Sequence, residues 1–506
     1  MLKLIFALMM FSLTSAAGQD HFLHVDFSPL INADHSLSNG ELGMGQAWTD
    51  INGDGYLDLY LTNQNGANHI LLNDQSGGFV IDSQYVAGEL PNSHDFGVAV
   101  TDYNNDGFQD LFISSFGPNK LLKNIGGQSF EEVSTALGLT DSSYSIASSW
   151  ADINNDGWLD VYVVNYSVEN DLNEADQLLL NNQGMGFIDV TADLSPAINL
   201  VKHGLAVQFI DFDADGDMDL YVVNDKQEGN TLWRNDGPAV NGCGTYVCMV
   251  DVSNATQTFR PVDGMGIAIA DYDLDGDFDF YFSSIAEQVL LQSQFSQGNP
   301  WYTDQSNAVG LNFDATGWAT LFMDVDNDRY PDAYLATANV TPSKRDRLYI
   351  SNQMGQFNDA TVFSGIEDLY MTVGAAKGDY DNDGKVDLVV GNWGTNYMLY
   401  RNINPSNHNW VKFNLTGGGD INSLAIGSRI SVITSSQHTL IDQVVSGGSH
   451  GAGNSLLPHF GLGAATIDRV EVIWPNGIRS QLWAPAVNTT HILAYPGELV
   501  FATGFD

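Results

Sequence analysis

Seven times along the chain, at spacings of 50 to 60 residues, one acidic nonapeptide returns. Its form is Asp-x-Asp/Asn-x-Asp-Gly/Arg-x-x-Asp, and its copies start at Asp50, Asp102, Asp152, Asp211, Asp271, Asp324 and Asp379. A period of this length marks a repeat architecture and constrains the fold more than any single segment does. Position 2 of each copy is apolar, from Ile51 and Tyr103 to Val325 and Tyr380. Positions 10 to 12 open an apolar run, as in Leu59-Tyr60-Leu61 and Val161-Tyr162-Val163. Unbroken runs rich in Val, Tyr and Phe read as strands covered on both faces. A Gly-containing apolar strand precedes the loop, as in Phe96-Gly97-Val98-Ala99-Val100. A third strand ends in Asn at Asn73, Asn124, Asn181 and Asn402, and a fourth, led by an aromatic residue, follows at Phe79, Phe130, Phe187, Trp301 and Phe357.

Four short antiparallel strands per repeat predict an all-β fold, a seven-bladed β-propeller over residues 19–403. Solenoids, the competing repeat architecture, have shorter periods and need capping ends. Copy seven lacks a fourth strand, and Phe22-Leu23-His24-Val25-Asp26 matches the missing one. The N-terminal strand is therefore expected to close the ring and remove the open sheet edge. After Asn402 the repeat stops, and alternating strands such as Arg429 to Thr434 and Arg469 to Ile473 predict a small C-terminal β domain over 404–506.

The spacing within each loop brings the side chains at positions 1, 3, 5 and 9 and the backbone carbonyl of position 7 to one point. In the first copy these are Asp50, Asn52, Asp54, Tyr56 and Asp58; in the second, Asp102, Asn104, Asp106, Phe108 and Asp110; in the third, Asp152, Asn154, Asp156, Trp158 and Asp160. The fourth offers Asp211, Asp213, Asp215, Asp217 and Asp219; the fifth, Asp271, Asp273, Asp275, Asp277 and Asp279. The sixth offers Asp324, Asp326, Asp328, Tyr330 and Asp332; the seventh, Asp379, Asp381, Asp383, Lys385 and Asp387. Of the 62 acidic residues, 25 stand at positions 1, 3, 5 and 9, so the formal charge of −44 is concentrated and not merely a solvated surface. Two carboxylates ~4 Å apart repel by about 4 kcal/mol at an effective dielectric of 20, which a cation relieves. All-oxygen ligation without His or Cys selects a hard cation, and irregular high coordination favours Ca2+ over Mg2+, up to seven ions in all. An EF-hand is excluded, because position 12 is apolar where that motif needs Glu. Arg329 occupies the Gly position of the sixth loop, where left-handed backbone costs ~1–2 kcal/mol and its charge is read as sitting near the ion, so the Asp324 loop is expected to bind most weakly. The ions are read as structural pins, with no open coordination position for catalysis.

Met1-Leu2-Lys3, an apolar run from Leu4 to Leu13 and the small residues up to Gly18 read as a signal peptide over 1–18. No later stretch has the ~18 consecutive apolar residues of a membrane span, so a secreted, periplasmic or cell-surface protein is expected. The acidic charge repels phosphate backbones and argues against nucleic acid as a partner. The two cysteines, Cys243 and Cys248, form a C-x4-C pair that reads as a disulfide in an exported chain; zinc would lack its other ligands. Gly447-Gly448-Ser449-His450-Gly451 fits the G-x-S-x-G nucleophile elbow, but that motif needs a strand-to-helix turn and nothing around it reads as helix. Trp48, Trp150, Trp318 and Trp393 are read as core in preference to a sugar site.

These loops and Phe96-Gly97-Val98-Ala99 resemble the FG-GAP/VCBS repeat family. Trp410 to Leu415, Ala425-Ile426-Gly427-Ser428-Arg429, Phe460-Gly461-Leu462-Gly463 and Val472 to Gly477 resemble the ASPIC/UnbV domain found beside such propellers in the cartilage acidic protein family. The resemblance implies an adhesion or recognition module; a monomer with an extracellular protein or glycan ligand and no catalytic residues is expected. The alternatives are a calcium-dependent carbohydrate-active enzyme, such as a polysaccharide lyase, or a lectin.

Overall fold

The computed structural model describes residues 20–496 apart from 28–29, 32, 34–41, 167–173, 195–200, 239–242, 296–300, 339–344 and 367–369. The expected signal peptide lies outside the described residues. The fold is all-β, and each of the first six repeats forms four antiparallel strands in chain order. In the first these are Gln46–Thr49, Asp58–Leu61, His69–Asn73 and Phe79–Val80. Second strands such as Asp58–Leu61 and Asp160–Asn165 are buried from end to end, which is why their sequences show no alternation. Apolar side chains fill the space between successive sheets; Tyr60 and Ile70 of the first sheet pack with Val98, Leu111 and Leu122 of the second.

The first strands of the seven repeats are Gln46–Thr49, Asp95–Thr101, Ser142–Ala151, Gly204–Ile210, Ile267–Ala270, Gly317–Met323 and Met371–Gly378. Each touches the next in this order, and the last touches the first. The seventh sheet takes its fourth strand from Phe22–Val25, which pairs antiparallel with Met398–Asn402. Two details depart from the sequence reading. Ser142–Tyr144 pairs with Phe116–Pro118, so the second and third sheets are hydrogen-bonded into one. The fourth strand of repeat five begins at Tyr302, which is buried, whereas Trp301 is 38% exposed. Cys243 and Cys248 are disulfide-bonded at the start of Val247–Asp251. Trp48, Trp150 and Trp318 are core residues, and Trp393 is half-buried.

The C-terminal part adds two sheets. One has the order His459–Gly463, Asn409–Thr416, Thr489–Ala494, the last pair parallel. The other has the order Thr439–Gln443, Arg429–Thr434, Ile467–Ile473, Arg479–Trp483. Val411, Phe413, Ile430, Val432 and Val470 form their shared core. The segment between Gln443 and His459 leaves this unit and threads among the first strands of the repeats. The Trp48 amide donates to the Gly453 carbonyl at 3.0 Å, Val98 to Gly451 at 3.0 Å and Ile267 to Ser449 at 3.0 Å. Ser149 Oγ donates to the Ser446 carbonyl at 2.6 Å, and the Ser455 amide to the Lys377 carbonyl at 3.0 Å. His450 lies edge-on to Trp318 at 5.1 Å. Inner strand edges of five repeats thus find partners for their backbone groups, which would otherwise stay unpaired and buried.

This threading explains the glycine run. Gly447 has φ +90°, and a Cβ there would lie 2.4 Å from the Ser148 carbonyl oxygen. Replacing Gly447→Val is expected to lower the unfolding free energy by roughly 2–4 kcal/mol, from left-handed strain plus overpacking. Urea unfolding checks this, and a loss below about 0.5 kcal/mol, the usual size of a surface change, would refute the threaded arrangement.

Candidate metal centres

Every loop joins the first strand of a repeat to the second, and one hydrogen-bond pattern builds all seven. The amide of position 5 donates to Oδ1 of position 1, as in Asp54 to Asp50 at 3.0 Å and Asp328 to Asp324 at 2.9 Å. The amide of position 6 donates to the other oxygen, as in Gly107 to Asp102 at 2.7 Å and Arg329 to Asp324 at 2.7 Å. Position 7 donates to the carboxylate of position 5, as in Tyr56 to Asp54 at 2.9 Å. The position 9 carboxylate accepts at one oxygen from position 2 and at the other from the end of the third strand. Asp58 accepts from Ile51 at 3.0 Å and Asn73 at 2.7 Å; Asp332 accepts from Val325 at 2.8 Å and Ser351 at 2.7 Å.

The structure brings acidic groups within 4.8 Å of one another at Asp211, Asp213 and Asp215, at Asp271, Asp273 and Asp279, at Asp324, Asp326 and Asp332, and at Asp379, Asp381 and Asp387. Asp219, Asp275, Asp328 and Asp383 stand outside these trios although the spacing places them in the same loops. In the first three loops Asn52, Asn104 and Asn154 occupy position 3 and donate to the position 5 carboxylates Asp54, Asp106 and Asp156 at 3.2, 2.9 and 3.1 Å. Asp58, Asp110, Asp160, Asp219 and Asp279 are fully buried. Desolvation first, then the neighbouring carboxylates, raises Asp58 to about 7 and Asp110 to about 8, and pushes Asp160 and Asp279 well above the ordinary range. Buried acids crowded with acids fit a hard cation: the donor set is all oxygen, and the charge is uncompensated without one.

Two features invisible in the loop motif emerge. The Asn that ends the third strand ties neighbouring repeats together: Asn124 Nδ2 donates to the Ile51 carbonyl of the preceding repeat at 2.8 Å, and Asn181 to Tyr103 at 2.8 Å. Asn73 makes the same bond to Tyr380 at 2.8 Å, joining repeat one to repeat seven. The recurrence of this Asn in the sequence was the signal. The second feature comes from the C-terminal part, which sits on the loops. Lys412, 2% exposed in its side chain, places Nζ 2.6 Å from Asp379 Oδ2 and 2.8 Å from Asn382 Oδ1. Arg429 donates to the Gly276 carbonyl at 2.9 Å, Gln443 accepts from the Asp211 amide at 3.0 Å, and the Ser423 hydroxyl donates to Asp102. The Gly463 amide donates to the Asn327 carbonyl at 2.8 Å.

The sixth loop keeps its shape around Arg329, whose φ is +86°. Its guanidinium turns to Ser436 Oγ at 3.2 Å, so its charge is directed at the C-terminal part more than at the carboxylates. The seventh loop carries more positive charge than its motif indicates, because Arg401 Nε lies 2.6 Å from Asp381 and Lys412 abuts Asp379. The nucleophile-elbow candidate has no strand-to-helix turn: Ser449 and His450 are 1% and 0% exposed inside the threaded segment.

The raised carboxyls give a pH dependence. Values of about 6 for Asp211, 7 for Asp58 and 8 for Asp110 exceed the ordinary 3.8, so the folded state binds these protons more tightly than the unfolded chain. Their stabilising protonation is complete below the ordinary value and lost as pH rises through the folded values. Metal-stripped, dialysed protein is therefore expected to melt lower at about pH 8 than at about pH 5, and a saturating divalent cation should flatten the difference. Thermal unfolding at both pH values checks it; equal melting of the stripped protein would remove the argument.

The model of the FG-GAP-like repeat matches residues 50–113, 102–163, 211–282 and 324–390, and the ASPIC and UnbV model matches 418–499. Cartilage acidic protein 1 of Homo sapiens is 22% identical over 506 residues, covering 92% of this chain and 74% of the relative. The Xenopus tropicalis protein of the same name is 21% identical, covering 92% and 75%. Among solved structures, an Agrocybe aegerita lectin that recognises non-reducing terminal N-acetylglucosamine covers 76% of this chain and 94% of its own at 14% identity and a TM-score of 0.38. BBS1N, solved in complex with ARL6DN, covers 76% and 98% at 9% identity and a TM-score of 0.44. With its acidic loops lying inside the matched repeats and its last two sheets, apart from the strand Asn409–Thr416, inside the matched C-terminal region, the chain belongs to the FG-GAP-like repeat family and carries an ASPIC and UnbV domain.

Proposed function

We propose that the chain is an exported recognition or adhesion module: a closed seven-bladed β-propeller pinned by Ca2+ in its loops and locked by its C-terminal β domain. The observation that carries the calcium reading is the clustering of loop carboxylates within 4.8 Å, with every position 9 acid buried. Closure is supported by the contact of the last inner strand with the first and by the Asn73 bond to Tyr380. An ion at each loop is a structural tie, because the oxygens that would meet it also cap the strands. The recognition reading follows from the family and from the burial of the one nucleophile-like motif, Ser449 and His450. Among the described residues no helix is long and apolar enough to cross a membrane, and Cys243–Cys248 fits an oxidising compartment.

Calorimetric titration of the stripped protein should show Ca2+ binding far more tightly than Mg2+, with a melting temperature that climbs with free Ca2+. The Asp324 loop, strained at Arg329, and the Asp379 loop, partly neutralised by Lys412 and Arg401, should fill last. Immobilised protein should then retain an extracellular protein or glycan in Ca2+ and release it to a chelator. Turnover of acidic polysaccharide in Ca2+ would overturn the non-enzymatic reading, and retention of nothing from the extracellular milieu would overturn recognition.

A further inference from the structure

Six of the seven loops are met by the C-terminal domain. Five make hydrogen bonds through Ser423, Gln443, Arg429, Gly463 and Lys412, and Gly157 of the third packs on the Asp420 carbonyl. The first loop stands apart. Among the described residues its outside hydrogen bonds run to Gln109, Asn73, Gln75, Asn124 and Asn382, all within the repeats.

The reason is geometric. Trp410, Lys412 and Asn414 of the strand Asn409–Thr416 stand on the loop side, opposite the core residues Val411, Phe413 and Leu415. Trp410 packs on Gly384 and Lys412 enters the seventh loop, so the sheet is anchored at that end. Beyond the anchor, Asn414 and its cross-strand partner Ile492 overhang the first loop, with Thr490 one step back beside Lys412. What remains beneath the overhang is a cleft of about 470 Å3, in the range of small-ligand sites.

The chemistry of its walls is specific. Among the described residues no Lys, Arg or His lines it, and one carboxylate, Asp50, does. Leu57, Leu456, Leu457 and Ile492 give an apolar side. Asn414 and Thr490 are exposed, and their side chains make no hydrogen bond among the described residues. Gln109 is oriented: its Oε1 accepts from Thr49 Oγ1 at 2.7 Å and the Asp50 amide at 2.9 Å, which leaves Nε2 as the free donor.

The geometry points to a neutral saccharide as the occupant of this cleft, with Asn414, Thr490 and Gln109 reading its hydroxyls and the leucine side taking the apolar face of the ring. A sugar hydroxyl both donates and accepts, which matches amide and hydroxyl partners. Even with Ca2+ in the first loop, Asp50, Asp54 and Asp58 leave a net negative charge there, and an anionic sugar would find no Lys, Arg or His in the wall to pair it. This inference rests on the recognition reading and gives that reading a place and a ligand class.

The test uses the full chain in Ca2+ on an array of mannose-, galactose-, glucose- and N-acetylglucosamine-terminated probes beside uronate-terminated ones. Neutral probes should bind and uronates should not. The affinity of the best neutral probe should fall roughly ten-fold in Asn414→Ala and in Thr490→Ala and vanish in the cleft-filling Asn414→Trp, with unchanged melting temperatures. Neutral binding unaffected by all three variants would overturn the cleft and leave recognition standing. Retention of a protein partner and no neutral probe would overturn the saccharide and also leave recognition standing. Retention of neither would overturn both.

Discussion

The carboxylate at position 9 of each loop is the group on which the other contacts depend. It lies buried at the root of the second strand and accepts one amide from its own loop and one from the end of the third strand. It therefore fixes the loop, the strand order and the position of the Asn that reaches the preceding repeat. A buried carboxylate with neutral partners still carries its charge into a low-dielectric place, beside two or three more like it. Strand geometry and cation demand are thus one constraint: the sheets assemble only by gathering acid, and gathered acid calls for a counter-charge.

Part of that counter-charge comes from the chain itself. Lys412 and Arg401 reach the seventh loop, and Arg429 approaches Asp211 and Asp271. The same domain sends a glycine-rich segment among the inner strands, where Gly451 and Gly453 accept backbone bonds from Val98 and Trp48. The motif Phe96-Gly97 has its physical cause here: a Cβ on Gly97 would lie 2.3 Å from the Ile146 carbonyl of the next repeat and 3.2 Å from Gly451. Repeats and C-terminal domain are in this sense one packing problem, since neither satisfies its buried backbone groups alone.

Much of this was legible in the sequence, because repetition multiplies weak signals. A single Asp-rich turn is ambiguous, but seven in phase with apolar runs place the loops, the second strands and the Phe22–Val25 partner of Met398–Asn402. Other features were not legible. The pairing of Ser142–Tyr144 with Phe116–Pro118 depends on strand length beyond the repeat pattern. Trp301 gave way to Tyr302 because one residue of register decides which side chain faces the core. Arg329 read as a charge beside an ion, yet a long side chain can turn away, and Ser436 drew it off.

The sequence by itself determined the all-β repeats, the acidic loops and their oxygen-only donor sets, since these depend on local periodicity and residue chemistry. Tertiary structure decided which loops are met by Lys412, Arg429 and Ser423, where the segment around His450 lies and that a cleft is left beside the first loop. Those outcomes depend on contacts hundreds of residues apart, such as Ser423 with Asp102 and Trp48 with Gly453, and no local pattern encodes them.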